Sequence, residues 1–289
     1  MIPVKIIVTG ADGQLGRAFR SPEFLNPDFK FLFLGKNELS IEEEGAMHSI
    51  FENEKPSYCI NCAAYTAVDK AESDREQAFL INAEAVRFLA KACKSVSARL
   101  IHISTDYVFD GNSSKPLLED DKTAPINVYG ESKLRGEELA RIEDPDTLII
   151  RTAWVYSEFG NNFVKTMIRL MKEKESINVI NDQIGSPTYA ADLSGAILKI
   201  CHAEKYVPGV FHYSNSGRIS WFDFACTIKE LTGSKCKINA IPSTGYPTAA
   251  RRPKFSLLNT TKIARTYSLT IPEWKSSLVK CLERMQLLV

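Results

Sequence analysis

The chain begins with an apolar run over 4–9 that ends in a loop carrying Gly10, Gly13 and Gly16. A buried strand that turns directly into a helix through such a loop has few folds open to it. Glycine serves there for three reasons: a tight turn, close approach of the backbone to a pyrophosphate, and close contact of helix with strand. The first N–H groups of the helix then face an anion. The spacing is GxxGxxG, not GxGxxG. Its place after the first apolar strand nevertheless makes Gly10, Gly13 and Gly16 the leading dinucleotide contacts.

The rest of the first half alternates short apolar runs with amphipathic stretches, the pattern of a parallel sheet built from βαβ units. Strands are expected at 4–9, 31–34, 58–61, 100–104 and 148–151, and helices at 14–20, 43–52, 74–95 and 127–142. Beyond Arg151 the rhythm loosens. A helix is expected at 163–172, a strand at 178–180, a turn-rich segment at 181–193, a strand at 210–213 and a helix at 221–231. A proline-rich loop covers 241–253, and a last helix runs from Pro272 onward. The fold class expected is α/β: a Rossmann-type doubly wound parallel sheet with a smaller C-terminal α/β lobe. Residues 1–155, completed by part of 186–203, would bind cofactor, and 156–289 would mainly bind substrate.

Composition removes several function classes. With 36 basic and 35 acidic residues, formal charge +1, the chain has no field to hold nucleic acid or an anionic membrane. It has no apolar run of eighteen residues, so no membrane span is expected. The short first run leads into the glycine loop where a signal peptide would need a cleavage site. Seven scattered cysteines suit free thiols in a cytoplasmic setting. Cys59 and Cys62 form a CxxC within an apolar stretch, without a second pair or nearby His, so no metal site is expected. His48, His102, His202 and His212 are dispersed and read as structural.

The chemistry concentrates in two segments. Ser104-Thr105-Asp106 closes a strand, and Tyr129-Gly-Glu-Ser-Lys133 opens a helix. Tyr and Lys at this spacing share a helical face. An ordinary phenol titrates near ~10, and an adjacent ammonium would lower that value. The tyrosine could then pass a proton to a carbonyl oxygen as hydride reaches carbon, with Thr105 bonded to the same oxygen. At the second strand end, Gly35 leaves room for a ribose 2′-phosphate and Lys36 could pair with it. NADPH is the expected cofactor, with NADH possible because Glu38 and Ser40 offer ribose contacts.

Taken in order, these segments resemble the extended short-chain dehydrogenases. They are the glycine loop, Asn61-Cys-Ala-Ala-Tyr-Thr-Ala-Val-Asp69, Ser104-Thr-Asp-Tyr-Val-Phe-Asp-Gly111 and Tyr129/Lys133. Later motifs bring the chain nearest the dTDP-4-dehydrorhamnose reductase family: Arg151-Thr-Ala-Trp154-Val-Tyr156, Gly160-Asn-Asn-Phe163, 181–188, 246–253 and 256–260. The resemblance covers nearly the whole chain. It implies a Tyr129 proton donor, with Lys133 as its pKa partner and nicotinamide-ribose ligand and Thr105 as the third catalytic group. It places Gly13, Gln14 and Leu15 at the pyrophosphate and Ala63 and Ala64 along the cofactor. Ser40, Ile41, Tyr65 and Ile103 are further cofactor contacts.

On the substrate side the resemblance implies Thr105, Asp106 and Trp154 around the sugar, with Val68 and Asp69 nearby. Asn162 and Arg252 are assigned to the diphosphate, and Arg251 is an equally basic neighbour. Some members hold magnesium at a dimer contact through glutamates; the matching positions here are Ala18 and Ala191. A monomer or weak homodimer without metal is therefore expected. The implied activity is NAD(P)H-dependent reduction of the C4 keto group of dTDP-4-dehydro-L-rhamnose. The alternatives are another nucleotide-sugar reductase or epimerase, or a regulatory subunit like the β subunit of methionine adenosyltransferase. Dehydratases of this group usually follow the strand-end threonine with Asp-Glu, whereas Tyr107 follows Asp106 here.

Overall fold

The computed structural model describes residues 3–24 and 26–288. In the first half β1 (Val4–Thr9), β2 (Phe29–Leu34), β3 (Tyr58–Asn61), β4 (Arg99–Thr105) and β5 (Leu148–Thr152) alternate with helices. These are α1 (Gln14–Ala18), α2 (Glu44–Glu54), α3 (Val68–Ala71), α4 (Arg75–Phe79), α5 (Ala85–Ser95) and α6 (Val128–Glu143). The second half contributes β6 (Val155–Tyr156), α7 (Phe163–Glu173), β7 (Ser176–Ile180), β8 (Ile184–Gly185), β9 (Thr188–Tyr189) and α8 (Ala190–His202). It continues with β10 (Gly209–His212), β11 (Ile219–Ser220), α9 (Trp221–Leu231), β12 (Lys237–Ile241), α10 (Thr261–Thr266) and α11 (Trp274–Arg284).

Six strands pair in the order β2–β1–β3–β4–β5–β10, all parallel. The strand order turns back between β1 and β3, and the crevice at that switch point is where such sheets take ligands. Alternate residues on each strand serve opposite faces. Ile7, Cys59 and Leu100 pack with Met47 and Phe51 of α2 and with Val86 and Leu89 of α5. Ile6, Val8, Ile60, Ile101 and Ile150 pack with Leu15 of α1 and with Leu193, Ile197 and Ile200 of α8. Both faces are covered, which explains the continuous apolar strands. A separate core joins Val164, Met167, Ile168 and Met171 of α7 to Ile177, Phe224, Leu278 and Leu282. The spacing on α7 is that of one helical face.

Several expectations need correction. The helix expected over 74–95 is interrupted by a π turn at Leu80–Glu84. There the buried Asn82 holds the main chain of Tyr65 on both sides, accepting from its N–H and donating to its carbonyl. The turn-rich segment contains β8, β9 and the start of α8. Because α8 is buried around most of its circumference, it shows no clear apolar stripe. The strand expected at 210–213 is β10, which completes the central sheet beside β5. Strand β12 and helix α10 were not expected at all. Among the described residues no helix is long and apolar enough to cross a membrane.

Candidate active site

The loop after β1 is as tight as its glycines require. Gly10 has φ +62°, and a Cβ there would lie 2.5 Å from the Ala63 nitrogen. A Cβ on Gly16 would lie 2.5 Å from the Gly10 carbonyl oxygen. Gly13 is the extended N-cap of α1, and no side chain caps that helix. Its first N–H groups are thus left for an anion. The strip after β3 packs against this loop at Ala63, whose N–H donates to Asn61 Oδ1 at 3.1 Å. Leu15 and Ile41 are core residues, and Ser40 Oγ reaches Glu42 at 3.4 Å. Lys36 is exposed after β2, while Glu38 accepts from Gly35 N–H at 2.9 Å.

At the carboxyl ends of β4 and β5 the candidate catalytic residues come together. Asn127 caps α6 by accepting from Gly130 N–H at 2.8 Å, and its own amide donates to the Arg251 carbonyl at 2.7 Å. A Cβ at Gly130 would lie 2.2 Å from the Tyr107 carbonyl, so glycine lets α6 start hard against the strand end. The Tyr129 and Tyr107 rings meet edge to face at 5.6 Å. The Thr105 hydroxyl lies near the Tyr129 phenol and donates to Asp106 Oδ1 at 3.1 Å. One turn further on, Lys133 is buried and donates to the Ile103 carbonyl at 2.7 Å.

The electrostatics differ from the expectation that the lysine would lower the phenol. Burial dominates at Tyr129 and pushes it up to about 12, with Thr105 offsetting part of the rise. Burial also brings Lys133 down to about 8, against the opposing charge of Glu137. Desolvation is the largest influence on each of the two groups. Asp106 is lifted to about 6 by burial, with the Ser256 and Thr105 hydroxyls holding it down in part. Its Oδ1 accepts from Thr105 at 3.1 Å, while the buried Oδ2 has no well-formed hydrogen bond. Behind these groups Glu137 takes a bidentate ion pair from Arg151, at 2.7 Å for the shorter contact, and a bond from Ser104.

A cleft of about 1310 Å³ opens beyond Tyr107, lined by Asp69, Met167, Trp221, Tyr246 and Arg252 among others. Arg252 grips Asp69 through two hydrogen bonds, 2.6 and 3.0 Å long. Val68 opens α3 beside Asp69. Trp154 has φ +49° and stacks on Trp221 at 3.7 Å.

Two of the assigned side chains bond each other. Gln14 Oε1 accepts from Asn162 at 2.9 Å and from the Ser157 hydroxyl at 3.0 Å. Asn162 also caps α7 and donates to the Ser157 and Phe159 carbonyls, so its amide is spent on the chain itself and not free for a diphosphate. Sequence reasoning did not single out Trp221 or Asn82. Of these only Trp221 carried a signal, as the aromatic residue opening a helix after the Ser220 capping box.

Comparison with known proteins agrees with this geometry. The family described as RmlD substrate binding domain matches residues 4–287. The chain is 40% identical over 283 residues to the dTDP-4-dehydrorhamnose reductase of Sinorhizobium fredii, covering 95% of each chain. It is 46% identical over 240 residues to that of Escherichia coli K12, covering 80% of each. The structure of the Bacillus anthracis dTDP-4-dehydrorhamnose reductase in complex with NADP superposes with a TM-score of 0.93 at 40% identity. That match covers 98% of this chain and 99% of the other. An apolar strand, a glycine loop and a Thr105–Tyr129–Lys133 cluster, carried on one fold from end to end, make this chain a member of the dTDP-4-dehydrorhamnose reductase family.

Proposed function

We propose that this protein reduces the C4 keto group of dTDP-4-dehydro-L-rhamnose, giving dTDP-L-rhamnose, with NADPH as cofactor and NADH as a usable substitute. The observation that carries this reading is the convergence of Thr105, Tyr129 and Lys133 at the strand ends beside the glycine loop. The loop suits a dinucleotide, because any side chain on Gly10 or Gly16 would collide with the backbone around it. Gly10, Gly13, Leu15 and Gly16 would hold the pyrophosphate. Ala63, Ala64, Tyr65, Ile103 and Lys133 would line the nicotinamide half, and Lys36, Ser40 and Ile41 the adenosine half. When bound, NADPH supplies hydride.

The chain's own residues supply the proton and the geometry. Thr105 and Tyr129 bond the keto oxygen together, and Tyr129 gives its proton to that oxygen as C4 becomes tetrahedral. A phenol pushed up by burial stays protonated at neutral pH, which is the form a reductase needs. Asp106, with one carboxylate oxygen unused, accepts from a sugar hydroxyl. The Trp154–Trp221 stack bounds the sugar, and Asp69 and Arg252 lie further out, where Arg252 can turn to the diphosphate. Residues 1–155 with part of 186–203 would form the cofactor domain and 156–289 the main substrate lobe. We further place the enzyme in the cytoplasm as a monomer or weak homodimer, supported by its near-neutral charge and free cysteines.

The test is consumption of NADPH on addition of the dTDP-4-keto sugar, with the product identified by NMR. An epimerised sugar formed without cofactor oxidation would replace this reading with an epimerase.

A further inference from the structure

The glycine loop reaches the second lobe through Gln14, which stands between Gly13 and Gly16. Its Nε2 donates to the Val155 carbonyl at 3.3 Å. Its Oε1 accepts from the Ser157 hydroxyl at 3.0 Å and from Asn162 Nδ2 at 2.9 Å. The orientation of this amide is fixed by its partners. Asn162 Oδ1 accepts from the Lys165 N–H, which can only donate, so the Asn162 atom turned to Gln14 is the NH2 group. Gln14 must meet it with oxygen, and its own NH2 then faces the Val155 carbonyl, which can only accept. Two further contacts close the same seam. Arg17 lies over the Phe159 ring at 5.0 Å. Gly160, with φ +60°, brings the turn against the Gln14 stem, where a Cβ would lie 3.3 Å from Gln14 Cγ. The turn is also closed on itself. Ser157 Oγ accepts from the Phe159 N–H at 3.1 Å, and Asn162 donates to the Ser157 and Phe159 carbonyls.

The segment that Gln14 holds leads into the cleft at both ends. Val155 follows Trp154, whose ring stacks on Trp221, and Asn162 caps α7, which opens with Phe163. The Phe163 ring lies 4.5 Å from the same Trp221 ring, and Phe163, Met167 and Trp221 line the cleft. The two lobes bury separate cores, yet one amide ties the dinucleotide loop to both flanks of this aromatic cluster. We propose that Gln14 is a positioning residue that couples the two sites, so that a dinucleotide on the loop and a sugar nucleotide in the cleft each strengthen the other's binding. This rests on the proposed function for what occupies each site. A dinucleotide seated on the loop backbone would hold Gln14 more firmly, and through it the closed turn over 155–162. Trp154 and Phe163 are then ordered before the sugar nucleotide arrives, and the second ligand has less conformational freedom to remove. Linkage makes the effect equal in both directions.

The experiment is calorimetry of dTDP binding with and without NADP⁺, and of NADP⁺ binding with and without dTDP. In the wild type each should tighten the other by about fivefold or more, by the same factor in both directions. Gln14→Leu keeps most of the side-chain bulk but makes none of the three bonds, and the factor should fall to near one. Ser157→Ala removes one bond and should give a factor between the two. A merely structural role would change the separate affinities and leave their coupling intact. Hydrogen exchange of the backbone amides over 155–163 is the second readout: NADP⁺ alone should slow it in the wild type and much less in Gln14→Leu. A factor of one in the wild type, or an undiminished factor in folded Gln14→Leu, would overturn the proposal. If Gln14→Leu does not fold, Ser157→Ala decides, and an undiminished factor there overturns it. Failure of the reductase reading would show separately, as no NADPH consumption on the keto sugar. If dTDP itself does not bind, hydrogen exchange with NADP⁺ decides alone, and equal protection in wild type and variant overturns the coupling.

Discussion

The buried cluster behind Tyr107 and the cleft that opens beyond it are built on opposite plans. On the sheet side Ser104, Thr105, Asp106, Lys133, Glu137 and Arg151 are all buried and hydrogen-bonded across β4, α6 and β5. On the outer side Asp69 and Arg252 meet in a partly exposed ion pair, on segments far apart in the chain. A buried charge pair contributes little net stability, since desolvation offsets its attraction. Its use is in fixing positions. The outer pair gives up little when it separates, as suits a surface that must exchange an internal partner for a hydrated, charged ligand. On the proposed function, the buried cluster would serve proton transfer and the outer pair capture and release of the ligand.

The sharpest way to break that contrast is at the phenol. Tyr129→Phe keeps the ring against Tyr107 and should leave folding intact. Loss of a positioned acid should lower kcat by about 10²–10⁴-fold, with KM changing far less. Steady-state kinetics on the keto sugar decide it, and near wild-type kcat would mean that the proton comes from elsewhere. Next in size is the ion pair behind it. Glu137→Gln strands the Arg151 guanidinium in the core and should cost about 3–5 kcal/mol in urea unfolding. A Glu137→Gln/Arg151→Met double variant should recover part of that loss. If Glu137→Gln alone costs under about 1 kcal/mol, the cluster is less dependent on its buried charges than its geometry implies.

How much of this was legible in the sequence depended on distance along the chain. The strand–loop–helix unit at Gly10–Gly16 and the Tyr129/Lys133 spacing are local patterns, and each lies on the expected element. Pairings between remote segments were not legible: Gln14 with Asn162, Asp69 with Arg252, Asn82 with Ser132. Two of these pairs consist of residues that sequence had each assigned to a ligand, because a free amide and a free guanidinium look alike whether they bind phosphate or protein. Charge states were invisible for a related reason. Burial sets the titration of Tyr129, Lys133 and Asp106, and burial exists only after the sheet and helices have met. Helix α8 escaped notice because burial on most sides removed the stripe that would have announced it.

A finer probe of the buried cluster is Asp106. Its carboxyl is raised to about 6 from an unfolded value of 3.8. A raised folded pKa means the native state binds the proton more tightly. That stabilisation is complete below the unfolded value and is lost as pH rises through about 6. Asp106→Asn has no such dependence. The stability of the variant relative to wild type should therefore rise by about 1–3 kcal/mol between pH 4 and pH 7, measured by urea unfolding at each pH. A difference that is flat with pH would show that Asp106 is hydrated in solution. The same variant should bind the sugar more weakly, since the function of the unused oxygen is lost.

The smallest effect is expected at the outer pair, and there the two plans separate most cleanly. Arg252→Ala removes a side chain that is 22% exposed and paired to an Asp69 side chain that is 46% exposed. Stability should change by less than about 1 kcal/mol, because exposed pairs contribute little. Catalysis should change in KM for the sugar nucleotide and not in kcat, as on the proposed function Arg252 meets the diphosphate and not the reacting oxygen. The KM effect should shrink in added salt, where the interaction of an exposed cation with a diphosphate is screened. Arg251→Ala is the comparison: Arg251 also lines the cleft, and a larger KM effect there than in Arg252→Ala would move the diphosphate contact to Arg251. A drop in kcat for Arg252→Ala would mean that the outer pair takes part in positioning the sugar for proton transfer. The division between capture and chemistry would then fail at this residue first.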